Sequence, residues 1–382
     1  MTRVHGTAPE RTEVRVGFMP LTDCAPVVMA SVLGFDEQQG IRIVLSKEAS
    51  WSSVRDRLVR GQLDAAHVLY GLMVGVQLGI GAAPHPLAIL MGLSRNGQAI
   101  TLSRRLAERG AVDGSSLAQL IRAEPRGYSF GHTFPTGNHA LWLYYWLAAA
   151  GIDPFRHAYS VTVPPPQMAA NLAAGHMDGY CAGEPWGARA VRDGSGFTVA
   201  TSQEIWPDHP GKVLGTSSAF ADACPNTCRA LVAAVLQAAR WMDASGANRS
   251  AAAEVLSSPA YVGAAREDIA PRLLGRYEDG LGNSWDDANP VRFHDGGAVN
   301  HPWLSDATWF MTQQVRWGLL KKEPDYEAVA AALNRMRLYR EAAELAEVPT
   351  FSALHRSSRL IDDVVWDGSD PHGYLASCTI RR

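Results

Sequence analysis

SFGHTFPTGNHALWLYYWLAAAGIDP, residues 129–154, decides how this chain folds. Residues 128–132 form a short, part-aromatic run that suits a buried strand. Residues 133–138 carry Pro135, Gly137 and Asn138, the chemistry of a turn and a helix cap. From His139 to position 150 the residues are apolar all round, as in a buried helix. Gly151 and Asp153-Pro154 then stop it. A helix start fed by a glycine-containing turn offers free backbone N–H groups to an anion. His139, in the first turn, is a further donor. The same residues also fit an ordinary strand-to-helix unit with a capping Asn and a satisfied core His.

Working outward, the same alternation recurs. Residues 14–19 read as a strand, followed by a turn at Pro20, Thr22 and Asp23 and a helix with Pro26 in its first turn. Strands at 41–45, 64–69 and 87–93 alternate with helices opening at Trp51 and spanning 72–78. This spacing predicts a mostly parallel sheet with helices on both faces, with ligands bound beyond the strands' carboxyl ends. Trp51, Thr22 and Asp23 fall at such loops. Arg95-Asn96-Gly97-Gln98 is a turn that crosses into a second lobe, and Lys212-Val-Leu-Gly-Thr is a strand crossing back. The expected division is residues 12–98 for the first part of lobe I, 99–211 for lobe II, and 212–382 for the rest of lobe I with a helical C-terminal extension. Helices are expected at 228–243, 249–257, 264–274, 304–319 and 325–345, joined by an irregular connector at 293–302. The tail, 350–382, is expected to pack loosely. Two α/β lobes joined by two crossovers make a hinged clamp whose cleft is the natural pocket.

The chain has 382 residues, enough for two or more domains with sizeable cores. Its net charge of −3 argues against direct nucleic-acid binding, and no run approaches a membrane span. The five Cys lack metal spacing, which fits a reduced cytosolic protein. The start, MTRVHGTAPERTEVRVGF, has no apolar signal region, so the expected location is the cytoplasm. No P-loop, GxGxxG after a first strand, HExxH, GxSxG or paired-acid motif supports catalysis. Cys24 and Cys181 read as buried small hydrophobes rather than nucleophiles, so neither an enzyme nor a cofactor is expected.

Lys is scarce, at 47, 212, 321 and 322 only. Lys212 therefore stands out at the second crossover, although a surface Lys is the plain reading. Gln98 at the first crossover is either a solvated turn residue or a cleft donor. Trp51 heads a polar helix as either a cleft aromatic or a core residue. Glu184 heads another helix, where a carboxylate favours the dipole without further function. Together these residues suit a small oxyanion: one Lys for charge, amide and imidazole donors, backbone N–H groups and an aromatic wall.

The segments GFMPLTDCAPVVMA (17–30), EASW (48–51), NGQAI (96–100), FPTGNHALWLYYWLAAAGIDP (134–154), VPPPQMAANLAAGHMDGYCAGEPW (163–186) and EIWPDHPGK (204–212) resemble the nitrate- and bicarbonate-binding proteins of ABC uptake systems. The likeness runs from about Val14 to Gly318 and implies the two-lobed type II periplasmic-binding-protein fold. It also implies nitrate ligands at Trp51, Gln98, His139 and Lys212, with Gly137 in the backbone cradle. Bicarbonate-binding members carry Thr for the His and a calcium-binding Glu for the Lys. His139 and Lys212 therefore imply nitrate or nitrite without a metal. Thr136 and Asn138 depart from the usual Gly and Thr of the turn.

A cytoplasmic version looks like the NasS-type nitrate/nitrite sensors. These sequester an ANTAR-domain antiterminator response regulator and release it on ligand binding to permit transcription of nitrate assimilation genes. The alternative is the solute-binding subunit of a nitrate ABC transporter. An enzyme on the same fold, such as a pyrimidine-forming thiamine-precursor synthase, and a fold-only relative binding another small anion or a sulfonate are the further readings.

Overall fold

The computed structural model describes residues 8–382; the first seven, on which part of the N-terminal reading falls, lie outside it. Ten strands build two five-stranded sheets. In chain order they are β1 (Glu13–Phe18), β2 (Arg42–Lys47), β3 (Ala65–Leu69), β4 (Leu87–Gly92), β5 (Gln98–Ser103), β6 (Tyr128–His132), β7 (Ala158–Thr162), β8 (Gly179–Gly183), β9 (Gly196–Thr201) and β10 (Lys212–Ser217). The first sheet has the order β2-β1-β3-β10-β4 and the second β7-β6-β8-β5-β9.

The alternating strands and helices give parallel pairs, β1 with β2 and β3, and β6 with β7 and β8. The crossover strands differ. β10 runs antiparallel to β3 and β4, and β5 antiparallel to β8 and β9. Each is the strand by which the chain enters its lobe from the other, so it arrives against the direction of its neighbours. Helices cover the sheets, and their apolar residues join those of the strands in one large core and a smaller one around Met168, Leu172 and Tyr180. Among the described residues no helix is long and apolar enough to cross a membrane.

The two crossovers lie side by side. Gly211 N–H donates to the Ser94 carbonyl at 2.7 Å and Asn96 N–H to the His209 carbonyl at 3.2 Å. Arg95 exchanges backbone hydrogen bonds with Arg292, which adds a third segment to this ribbon. Asn96 and Gly97 both take positive φ, 60° and 79°, the left-handed turn that Asn-Gly adopts at low cost. The Asn96 side chain is tied to the Asn289 and Pro290 carbonyls at 3.0 and 3.2 Å.

Two sequence expectations fail in the C-terminal region. The helix expected over 325–345 is two helices, Tyr326–Leu333 and Met336–Leu345. Tertiary hydrogen bonds break it: Arg335 N–H donates to the Ile89 carbonyl at 2.9 Å, and Tyr70 Oη donates to Asn334 Oδ1 at 3.1 Å. The tail is also packed rather than loose. Trp366, Tyr374 and Leu375 are buried. Trp366 Nε1 donates to the Ser305 carbonyl at 2.8 Å, Ile361 N–H to the Ile205 carbonyl at 2.9 Å, and Tyr145 Oη to Asp362 at 2.8 Å. The tail thus straps helix Leu304–Arg316 to the lobe that carries β5–β9.

Candidate functional site: a sealed polar cluster between the lobes

The cluster is built where strand ends meet helix starts. After β1 the chain makes a short turn, Thr22–Cys24, that carries Asp23. After β2, Ser50 caps helix Trp51–Val59 by accepting the Ser53 N–H at 3.1 Å, which fixes Trp51 at the first position. β3 carries His67, and β10 begins at Lys212. Their register pairs Lys212 with Leu69 and His67 with Leu214, so the two side chains leave one face of the sheet. From the other lobe, helix Asn138–Ala149 presents its N-terminus, which no side chain among the described residues caps.

All four polar residues singled out from the sequence are fully buried: Trp51, Gln98, His139 and Lys212. Three of them have side-chain polar atoms with no hydrogen-bond partner among the described residues: Trp51 Nε1, Gln98 Oε1 and Nε2, and His139 Nε2. Buried polar atoms are rarely left so, because each costs about 1–3 kcal/mol. Lys212 Nζ stands over the Trp51 ring, 5.9 Å from its centroid. Gln98 opens β5, and its N–H donates to Ser202 Oγ at 3.1 Å. The Ser202 hydroxyl lies 2.7 Å from His209 Nε2, and the His209 ring packs on Trp142 at a centroid distance of 4.1 Å. Trp142 in turn neighbours the His139 ring at 6.1 Å, and its own Nε1 has no partner among the described residues.

Gly137 contributes differently from the backbone cradle expected of it. Its N–H closes the turn on the Phe134 carbonyl at 3.0 Å. What the position requires is space, because a Cβ there would come within 2.6 Å of a Leu69 methyl across the cleft. The free donors at this helix start belong to the turn that follows Gly137.

Several partners had no role legible in the sequence, Asp23 being placed there only by its strand-end loop. Lys212 Nζ lies 2.7 Å from Asp23 Oδ2, and both groups are buried. Asp23 Oδ1 accepts from His67 Nε2 at 2.9 Å, and His67 Nδ1 accepts the Met19 N–H at 3.4 Å, which fixes the neutral tautomer. Burial alone would raise the Asp23 carboxyl, but Lys212 and the His67 hydrogen bond outweigh it and hold it well below the usual carboxylate range. His139 is pushed well below its ordinary value by burial and by the Lys212 charge. Its Nδ1 lies 2.6 Å from Thr133 Oγ1. With the hydroxyl donating, the ring keeps its proton on Nε2, the nitrogen that has no partner among the described residues.

Asn138 spans the cleft. Its Oδ1 accepts the Gly71 N–H at 2.9 Å, and its Nδ2 donates to the Gly211 carbonyl at 2.6 Å. Gln314 Nε2 donates to the Gly71 carbonyl at 2.8 Å and the Thr136 carbonyl at 3.3 Å. On the other side Thr22 N–H donates to the Glu184 carbonyl at 2.8 Å, and Trp186 Nε1 to the Pro20 carbonyl at 3.0 Å. Glu184 itself caps its helix by accepting the Ala188 N–H at 2.9 Å and pairs with buried Arg272 at 3.1 Å. The lobes are therefore closed on each other. The arrangement can enclose one small anion among N–H donors and an ammonium. The Cys24 and Cys181 thiols are pushed up by burial, which suits neither to nucleophilic work.

Known proteins share this architecture. Residues 7–257 match the model of the NMT1-like family, and the chain belongs to that family. It is 34% identical over 387 residues to the nitrate/nitrite binding protein NrtA of Synechocystis, covering 98% of this chain and 86% of that one. It is 36% identical over 385 residues to the nitrate import ATP-binding protein NrtC of Synechocystis, covering 99% of this chain but only 57% of that relative's length. The crystal structure of the periplasmic nitrate-binding protein NrtA from Synechocystis superposes with a TM-score of 0.93 at 33% identity, over 98% of this chain and 100% of that one.

Proposed function

We propose that this member of the NMT1-like family holds nitrate or nitrite between its lobes and acts as a cytoplasmic sensor of the ion. Trp51, Gln98, His139 and Lys212 are the ligand-binding side chains, with the helix start after Gly137 as backbone donor. The observation that carries the ligand reading is the set of unpartnered buried donors on three of these residues beside an ammonium. The names of relatives that align over nearly the whole chain agree with it. A planar oxyanion with no proton to donate fits walls made of N–H groups. We read the protein as binding rather than catalytic.

In the sensor reading the ligand-free protein sequesters an ANTAR-domain antiterminator and releases it when the anion closes the clamp. Five thiols, none paired in a disulfide, suit a reducing compartment. Coupling of about 1–3 kcal/mol between anion and partner would change partner affinity roughly 5- to 150-fold. The second reading, a solute-binding subunit of a nitrate ABC transporter, is favoured by the relatives, which are a nitrate/nitrite binding protein and a nitrate import ATP-binding protein. An affinity pull-down from the native host's lysate, with and without added nitrate, separates the two. An RNA-binding response regulator that co-purifies only without nitrate supports the sensor. If no such partner appears in either condition, the sensor reading fails and the transport reading replaces it.

A further inference from the structure

The ammonium that the anion would meet is already paired. Lys212 and Asp23 are in contact at 2.7 Å and both fully buried, so their charges cancel inside the cluster. His67 cannot add charge, since its two ring nitrogens are committed to Asp23 and to the Met19 N–H. The charged or titratable groups that face His139 are Lys212 on β10, Asp23 on the turn after β1, His132 on β6 and His209 on the return crossover. His132 and His209 are held neutral by burial, at about 4 and about 3. The walls of the site thus carry no net charge.

A monoanion placed there would bring one uncompensated buried negative charge. Such a charge is costly, and a neighbouring group that can titrate does so instead. His139 is built for it. Its Nε2 has no partner among the described residues, and its Nδ1 faces a hydroxyl at 2.6 Å. A Thr hydroxyl both donates and accepts. Thr133 can therefore turn from donor to acceptor, leaving imidazolium Nδ1–H on Thr133 Oγ1 and Nε2–H on the anion. Nitrate is the base of a strong acid, so the proton resides on the ring.

We propose that the site takes up a proton together with the anion, on His139, so that the ligand is in effect a monoanion plus H+. This rests on the anion-binding reading above. The inventory balances: one proton leaves solvent and joins a ring nitrogen, and one anion enters beside it. Asp23 is the residue that imposes the requirement, because without its charge Lys212 alone would balance the anion.

The test is calorimetric titration of the full chain with sodium nitrate in pairs of buffers of different ionisation enthalpy, from pH 5.5 to 8. The expected result is uptake approaching one proton per nitrate, with affinity rising up to tenfold for each unit the pH falls. His139→Gln keeps a donor but cannot take a proton, and Asp23→Asn removes the opposing charge. Asp23→Asn should bind with no proton uptake and a flat pH profile, and His139→Gln, which leaves the anion's charge unbalanced, should bind at least about tenfold more weakly at pH 5.5 and likewise without proton uptake. Wild-type binding with no proton exchange and a flat profile overturns the proposal while leaving the nitrate reading intact. No binding heat with nitrate at either end of the range, from folded protein, overturns the nitrate reading and this proposal with it. The wild-type measurement decides the matter even if a variant fails to fold.

Discussion

Replacing Lys212 by Met leaves the Asp23 charge in the core with the His67 hydrogen bond but without its counter-ion. Removing one partner of a buried ion pair costs about 3–5 kcal/mol, whereas replacing both by apolar groups is often neutral. Lys212→Met should therefore lower the urea midpoint strongly, and Lys212→Met with Asp23→Leu should restore most of the loss. A double variant as unstable as the single would contradict the pairing at 2.7 Å. The buried histidines set the pH dependence. His67, His132, His139 and His209 all titrate below their ordinary value because burial disfavours the imidazolium. Below about pH 6.5 the unfolded chain binds protons that the folded chain refuses, so stability falls as pH drops. Asp23 acts in the same direction at lower pH, since its stabilisation is present above the unfolded carboxyl value and lost beneath it. The urea midpoint without nitrate should fall steadily from pH 7 to pH 4.5, and His209→Gln should flatten that slope. At this scale the sequence was legible where chemistry is local. Scarcity singled out Lys212, and helix-start position singled out Trp51 and His139. Asp23 stood at the right loop but with no role, because its partner lies 189 residues away.

Helix Asn138–Ala149 is the element that would join the proposed anion binding to closure of the lobes. Its first residue bridges the Gly71 N–H of one lobe to the Gly211 carbonyl of the return crossover. Asn138→Ala would strand the buried Gly71 N–H, at about 1–3 kcal/mol, and weaken closure without touching the anion. Gly71 is the complementary case. A Cβ there would strike the Thr136 carbonyl oxygen, so the closed lobes tolerate none, while Ala favours the helix that Gly71 belongs to. Gly71→Ala should therefore keep its thermal stability but lose nitrate affinity tenfold or more, and scattering should report a more open particle with nitrate present. Unchanged affinity would mean the lobes close some other way. This strand, turn and helix were readable within a residue or so, because a buried apolar helix with a Gly stop looks like little else. The break at Asn334–Arg335 was not readable. The local pattern continues as a helix through it, and only the contacts to Tyr70 and Ile89 end it.

The whole molecule is two lobes held shut by a few hydrogen bonds and strapped by the tail. Because Trp51, Gln98, His139 and Lys212 are fully buried, the proposed anion could reach them only if the lobes part, so its affinity would depend on the balance between open and closed forms. The strap crosses from helix Leu304–Arg316 to the second lobe and buries Trp366, Tyr374 and Leu375. Trp366→Ala should cost about 3–5 kcal/mol, as core aromatic truncations do, and should be seen as a lower thermal midpoint. From sequence the tail looked loose because its apolar residues are isolated, and their partners lie in a helix some 60 positions away. The two-lobed plan was legible from alternating strands and helices with two crossovers. The antiparallel course of β5 and β10 follows from those crossovers.

The most direct measurement is the heat of nitrate binding to the full chain, beside Trp51→Phe, which keeps an aromatic wall but removes the indole N–H together with the pyrrole half of the ring. The expected result is one nitrate per chain, with affinity at least about fivefold weaker in the variant, as loss of one charge-assisted hydrogen bond requires. Nitrate and nitrite that give no heat, or that bind Trp51→Phe as tightly as the native protein, would contradict an anion seated among Trp51, Gln98, His139 and Lys212.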